Sequence, residues 1–244
     1  MSQVMSQVMN QDAARYVIPP PRQAVIAVAG TDKVFPVRRI WCVGRNYEEH
    51  IREMGHDVRD PPFFFAKPAD AIVPDGSTVP YPPLTKDMHH EVELVVALKS
   101  GGRSIKLERA LDCIFGYCVG IDLTRRDLQI ASRDMKRPWE IGKAFDASAP
   151  CGSLQPAEKI GHPKKGRIRL SVNGEIRQDG DLAQLIWNVP EVIVKLSEMV
   201  ELAGGDVIMT GTPSGVAATV AGDRIECEIE GVGKLNVTIG KPAG

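Results

Sequence analysis

The 244 residues suffice for one large domain, or for a core domain with a small appendage. Hydrophobic residues make up 43% and charged residues 25%, and 30 basic against 31 acidic side chains leave a net charge of −1, as in an ordinary globular protein. That balance argues against nucleic acid or a membrane surface as partner, and no apolar run is long enough to span a bilayer.

The start of the chain repeats Met-Ser-Gln-Val. It lacks the basic region and apolar stretch of a signal peptide and is expected to be a tail. Five cysteines, Cys42, Cys113, Cys118, Cys151 and Cys227, are an odd number with no Cys-x-x-Cys pair. They predict reduced thiols in a cytoplasmic protein. His and Cys do not cluster at zinc-ligand spacing.

Ala24 to Val28 and Lys33 to Val37, joined by Ala29-Gly30-Thr31-Asp32, predict a hairpin. Arg39 to Val43 predicts a strand. Asn46, with Glu49 three residues on, has the form of a capping box for a short helix over 47–54 that ends at Gly55. The polar stretch from His56 to Asp60 runs into Pro61-Pro62 and has the composition of a lid. Phe63 to Phe65 is a further strand.

From about residue 70 the pattern is rich in strands broken by Gly and Pro. Met88 to Val96 ends in a β-branched run, and Cys113 to Ile121 is a second apolar run. Leu107 to Asp112 suits a helical turn, and Thr124 is expected to cap a helix reaching about Met135. Ile168 to Val172 and Glu175 to Gln178 flank Asn173-Gly174, a two-residue hairpin signal. Val189 to Leu202 has helical periodicity with Pro190 in its first turn. Val207 to Thr210, Arg224 to Glu230 and Lys234 to Ile239 are closing strands. Strands and helices do not alternate regularly, so the expected class is α+β on a large, mostly antiparallel sheet system. Residues 1–69 are expected to form a tail and a small strand and helix region that carries the lid. Residues 70–244 are expected to form the catalytic domain.

No Gly-x-Gly-x-x-Gly or Walker loop is present, so no nucleotide is implied. No Gly-x-Ser-x-Gly elbow occurs either, and Pro213 spoils the nearest approach, at Ser214. Chemistry is suggested instead by carboxylates. On a strand, Glu91 and Glu93 point the same way. Buried together they need a cation or a proton. Asp122 follows the second apolar run, and three carboxylates with room for water suit a hard divalent cation. The same spacing also suits a solvated face, as Glu226, Glu228 and Glu230 illustrate. Only the first set has catalytic company.

Arg126 and Gln129 share a helix face just after Asp122 and are placed to hold a substrate carboxylate or keto oxygen. Lys143 lies among apolar and small residues, where it can meet an oxyanion or enolate. His50 and Glu53 are three apart, the spacing of an imidazole oriented by a carboxylate as a base for water. The loop Thr210 to Val216 offers backbone N–H groups and the Thr212 hydroxyl to an anion. Each of these also has a plain alternative, as a solvated surface residue or a simple turn.

In order along the chain, the segments are Gly44-Arg45-Asn46-Tyr47 with His50 and Glu53, Lys67-Pro68, His89-His90-Glu91-Val92-Glu93-Leu94, residues 120–129, Lys143-Ala144-Phe145-Asp146 and residues 205–216. Over roughly residues 38 to 240 they resemble the fumarylacetoacetate hydrolase superfamily. The resemblance implies a mixed β-sandwich roll of that superfamily's C-terminal-domain type, usually a homodimer. It implies Mg²⁺ or Mn²⁺ on Glu91, Glu93 and Asp122. Arg45, Tyr47, Arg126, Gln129, Lys143 and Thr212 would contact substrate, and His50 with Glu53 would activate water as a lid closes. Ile121 and Leu123 depart from many members without altering a ligand.

Within the superfamily, the short length and Arg137-Pro138-Trp139-Glu140-Ile141-Gly142-Lys143 look like fumarylpyruvate hydrolases and related acylpyruvases. The implied reaction is hydrolysis of a C–C bond in a 2,4-diketo acid, 3-fumarylpyruvate giving fumarate and pyruvate. Acylpyruvate hydrolysis and oxaloacetate decarboxylation use the same metal and enolate. A noncatalytic divalent-cation-binding β-domain is the alternative of another class.

Overall fold

The structure, a computed structural model, describes residues 16–47 and 60–242. In chain order the first strands are β1 (Val25–Ala27), β2 (Val34–Pro36), β3 (Arg39–Gly44), β4 (Phe63–Lys67), β5 (Ile72–Pro74) and β6 (Thr78–Tyr81). Next come β7 (Met88–His89), β8 (Val92–Leu98), β9 (Ile114–Ile121), β10 (Thr124–Arg125), β11 (Ala149–Cys151) and β12 (Gln155–Pro156). The last are β13 (Arg167–Val172), β14 (Glu175–Asp181), β15 (Asp206–Met209), β16 (Ala218–Thr219), β17 (Arg224–Ile229) and β18 (Gly233–Pro242). The α-helices are short: α1 (Leu107–Ala110), α2 (Arg126–Asp134), α3 (Glu140–Lys143), α4 (Ala157–Ile160) and α5 (Val189–Met199).

An eight-stranded sheet runs in the order β4-β3-β15-β8-β9-β11-β5, with β12 against β9. A five-stranded sheet, β14-β13-β17-β18-β6, accompanies it, with a three-stranded sheet β10-β7-β16 and the hairpin β1-β2. Pairing is mostly antiparallel; β15 with β3, β11 with β5 and β18 with β6 are parallel. This is the mixed, β-rich roll with few helices that the sequence suggested.

Strand β8 shows why its residues read as a continuous apolar run. Val92, Leu94, Val96 and Leu98 enter the core shared with Ile168, Leu170, Ile225 and Ile229 of the five-stranded sheet. Val95 and Ala97 face the other way, into a second core with Ile26, Phe35, Val207 and Met209. Both faces are covered, so no polar alternation is required. Each fully buried Val or Leu here stabilises by about 1.5–3 kcal/mol. Buried Asp206 takes Arg38 and Arg39, each at 3.0 Å, and so clasps the start of the parallel β3–β15 pair.

The β13–β14 hairpin turns on Asn173 (φ 53°) and Gly174 (φ 83°), the left-handed pair a two-residue turn demands. Helix α5 opens with a capping box between Asn188 and Glu191 and has Pro190 in its first turn. The five cysteines are free and buried. Among the described residues no helix is long and apolar enough to cross a membrane.

One expectation meets a different outcome. Thr124 does not cap α2; it lies on β10, its hydroxyl donates to the Asp122 carbonyl at 3.1 Å, and the helix begins at Arg126 without a side-chain cap. Strands β3 and β4 belong to the same sheet as β8 and β9, so backbone pairing runs unbroken across residue 69. Asn46 reaches groups far along the chain, and the helix it was expected to cap lies outside the described residues. Its Oδ1 accepts from the Trp187 N–H at 2.8 Å, and its Nδ2 donates to the carbonyls of Trp187 (2.9 Å) and Thr210 (2.8 Å). His50, Glu53 and the helix and lid expected around them lie outside the described residues.

Asn46 therefore ties the end of β3 to the approach to α5 and the end of β15. Asn46→Ala removes three hydrogen bonds at a buried position and should lower unfolding free energy by about 2–4 kcal/mol. Urea titration checks this, and a loss below about 0.5 kcal/mol contradicts the clasp.

Candidate active site

The face of β8 that carries Val95 and Ala97 changes character at its start, where Glu93 and then Glu91 follow. Antiparallel pairing sets Val92 opposite Ile121 on β9, and the Asp122 N–H donates to the Glu91 carbonyl at 2.8 Å. Asp122 is thereby placed beside the two glutamates. Carboxylate oxygens of Glu91, Glu93 and Asp122 lie within 4.8 Å of one another. The three residues are 7%, 2% and 1% exposed. So little water cannot carry three negative charges, and cations must.

Lys143, 2% exposed, supplies the first. Its Nζ donates to Glu91 Oε2 and Asp122 Oδ2, both at 2.8 Å, and to Thr124 Oγ1 at 2.6 Å. Its position depends on Gly142. A Cβ there would lie 2.8 Å from the Gln129 backbone nitrogen, so only glycine lets α3 settle on α2 and bring Lys143 beside Gln129. Arg126 supplies the second cation. Its Nη2 lies 2.5 Å from Glu91 Oε1, and its Nη1 donates to Gln129 Oε1. Lys67 is the third. It is 2% exposed, donates to the carbonyls of Leu123 (3.1 Å) and Lys143, and stands 2.9 Å from Asp122 Oδ1.

Titration follows these contacts. Burial pushes the Glu91 carboxyl up, but Lys143 and Arg126 outweigh it and bring it down to about 2. Glu93 goes the other way: burial, then the Asp122 and Glu91 charges, hold it well above the usual carboxylate range. Burial lowers Lys143, yet Asp122 and Glu91 more than restore it, so it remains an ammonium.

The donor set fits a divalent cation. Three carboxylates offer hard oxygen ligands, the kind Mg²⁺ and Mn²⁺ take. Asp122 Oδ1 has the Lys67 ammonium 2.9 Å away but out of hydrogen-bond alignment, and it has no other partner among the described residues. The Lys143 ammonium already sits as a cation between Glu91 and Asp122. The Glu226, Glu228 and Glu230 stripe is different: Glu228 pairs with Arg169 and Lys234 at the surface.

A cleft opens over the acids. Arg45, Gln129, Thr212, Trp139 and Arg133 are among its walls. Tyr47 is not. Its ring is buried, its hydroxyl has no hydrogen-bond partner among the described residues, and burial and then the Glu93 charge push that hydroxyl's pKa up. The catalytic pair His50 and Glu53 lies outside the described residues.

Sequence reasoning passed over a second line of support. The buried Gln178 Oε1 accepts from the Val92 N–H at 3.1 Å, which fixes its amide orientation. The His90 Nδ1, at 2.9 Å, must then donate to it. Gln178 Nε2 in turn donates to Thr212 Oγ1 at 2.8 Å and the Pro213 carbonyl at 2.9 Å. One amide thus joins the start of β8 to the loop that carries Thr212. Lys67 was visible only as part of a motif, a lysine ending an apolar strand.

Removing a ligand from this cluster should remove the metal. Glu91→Ala and Asp122→Ala are expected to lose Mg²⁺ binding in calorimetry, whereas Glu228→Ala keeps it. Parental Mg²⁺ affinity in Glu91→Ala would place the metal elsewhere.

Residues 39–240 match the family "Fumarylacetoacetate (FAA) hydrolase C-terminal". A fumarylpyruvate hydrolase from Pseudomonas aeruginosa, solved in complex with Mn²⁺ and pyruvate, is 50% identical, with a TM-score of 0.90, over 93% of this chain and 99% of that one. A fumarylpyruvate hydrolase from Ralstonia sp. is 42% identical over 73% of this chain and 92% of its own length. The human mitochondrial oxaloacetate tautomerase FAHD1 is 38% identical over 85% of this chain and 97% of its own length. The chain belongs to the fumarylacetoacetate hydrolase family.

Proposed function

We propose that the protein hydrolyses the C3–C4 bond of a 2,4-diketo acid, with 3-fumarylpyruvate giving fumarate and pyruvate. One observation carries this. Three buried acids are met by Lys67, Lys143 and Arg126, so the cluster is close to neutral on its own. When bound by Glu91, Glu93 and Asp122, Mg²⁺ or Mn²⁺ supplies Lewis-acid polarisation and a surplus of two positive charges. A carboxylate plus an enolate bring two negative charges, so the site is matched to the pyruvate enolate rather than to a neutral ketone. Relatives support the same end of the molecule, since pyruvate occupies the P. aeruginosa fumarylpyruvate hydrolase.

Water adds to C4, the C3–C4 bond breaks with its electron pair passing into the enolate of C2 and C3, and a proton at C3 completes pyruvate. In this reading Lys143 donates to the oxygen that gains charge, and Arg126, Gln129 and Thr212 hold the 1-carboxylate end; that all four line the cleft supports it. Binding must exchange the contacts Lys143 and Arg126 now make with Glu91. His50 is proposed as the base for water, oriented by Glu53, on sequence spacing and family resemblance alone. Resemblance likewise supports a homodimer, and the reduced cysteines a cytoplasmic setting.

A second reading is favoured by the relatives named oxaloacetate tautomerase: the same site can stabilise the enolate of oxaloacetate or the enolate left by its decarboxylation. Assay of 3-fumarylpyruvate, acetylpyruvate and oxaloacetate with Mg²⁺ and with EDTA separates the readings. The proposal requires fumarate and pyruvate from the first substrate, abolished by EDTA. Turnover of oxaloacetate alone overturns it.

Lys143→Met should lower kcat by about 10²–10³-fold, the scale for one lost oxyanion donor. Parental kcat removes Lys143 from the chemistry. His50→Ala should cost about 10²–10⁴-fold in hydrolysis while any oxaloacetate decarboxylation survives, because only hydrolysis consumes water. Equal loss of both activities points to binding rather than base catalysis.

A further inference from the structure

Helix α2 presents more to the cleft than Arg126 and Gln129. Ile130 and Arg133 line it too. The spacing i, i+3, i+4, i+7 is one helix face, so four cleft residues form a row. Arg133 lies two turns beyond Arg126, about 10.5 Å along the axis. Its side chain is 48% exposed and, among the described residues, its guanidinium pairs with its own neighbour, Asp134, at 3.0 Å. An exposed pair of that kind is weak, so Arg133 can exchange it for another carboxylate at small cost.

We infer that Arg133 is a specificity-determining residue, receiving the distal carboxylate of a seven-carbon 2-oxo diacid whose other end is held at the acid cluster. This rests on the proposed reaction and adds the length and end group of its substrate. Three extended bonds span about 3.8 Å, so the six bonds from C1 to C7 span about 7.6 Å. A guanidinium–carboxylate contact at each end adds about 2.8 Å, so a seven-carbon diacid held at Arg126 is long enough to cover the two-turn step to Arg133. Oxaloacetate, with three bonds between its carboxyl carbons, reaches about half as far from C1. Acetylpyruvate has no distal charge. Between the two ends, Ile130 and Trp139 supply apolar wall for the unsaturated middle of the chain, the Trp139 ring being braced edge-on by Phe63 at 5.1 Å.

Two measurements test this. The first is the ratio of kcat/KM for 3-fumarylpyruvate to that for acetylpyruvate. Arg133→Met should lower the ratio at least tenfold, mainly through KM, and Arg133→Lys should keep most of it. A ratio changed less than twofold in Arg133→Met, including an equal fall on both substrates, overturns the assignment. The second avoids hydrolysis. With Mg²⁺ present, calorimetry should show Arg133→Met weakening 2-oxoheptanedioate at least tenfold relative to 2-oxoheptanoate, a monoacid of equal length. Equal weakening of the two overturns the inference. Should the wild-type protein split neither diketo acid yet bind the diacid through Arg133, the reaction fails and the carboxylate subsite stands.

Discussion

Three carboxylates with almost no access to water cannot share one end of a sheet unless positive charge is brought to them. Here three separate elements bring it: Lys67 from the end of β4, Arg126 from the first turn of α2 and Lys143 from the end of α3. Much of the local architecture serves that balance. Gly142 exists to let α3 reach α2, and Thr124 leaves the helix cap to hold the Lys143 ammonium. Lys67 also bonds two backbone carbonyls, so it fixes where the chain runs as well as where the charge lies.

The acids are cheap to place because the sheet has already been built. Strands β8 and β9 are buried on both faces, and their antiparallel register fixes Glu91 beside Asp122. Preorganisation of this kind lets polar groups meet a developing charge without rearranging first. The unequal titration of the set shows the same asymmetry: Glu91 is held ionised by Lys143 and Arg126, while among the described residues Glu93 accepts from the Gly211 N–H at 2.7 Å. Glu93 is the carboxylate most in need of a further cation.

Much of this was legible in the sequence. The β13–β14 hairpin followed from Asn173-Gly174, α5 from its capping box and Pro190, and the acid cluster from Glu91-x-Glu93 and Asp122 beside apolar runs. Local chemistry determines each of these. What escaped depends on distant partners. The Asn46 clasp is one case, since only the fold brings Trp187 and Thr210 within reach. Thr124 fails as a cap for a similar reason, since Asp122 and Lys143 claim its hydroxyl. Lys67 and Gln178 lie far in sequence from the groups they serve, so spacing gives no sign of them.

The central claim is that the carboxylates of Glu91, Glu93 and Asp122 form one divalent-cation site, with Lys143 as its occupant when no metal is present. Anomalous scattering from crystals soaked in Mn²⁺ tests it directly. The account predicts one strong peak at coordination distance from all three carboxylates, with the Lys143 ammonium moved off Glu91 and Asp122. A peak elsewhere, or Lys143 still bridging the two acids under saturating Mn²⁺, would contradict it.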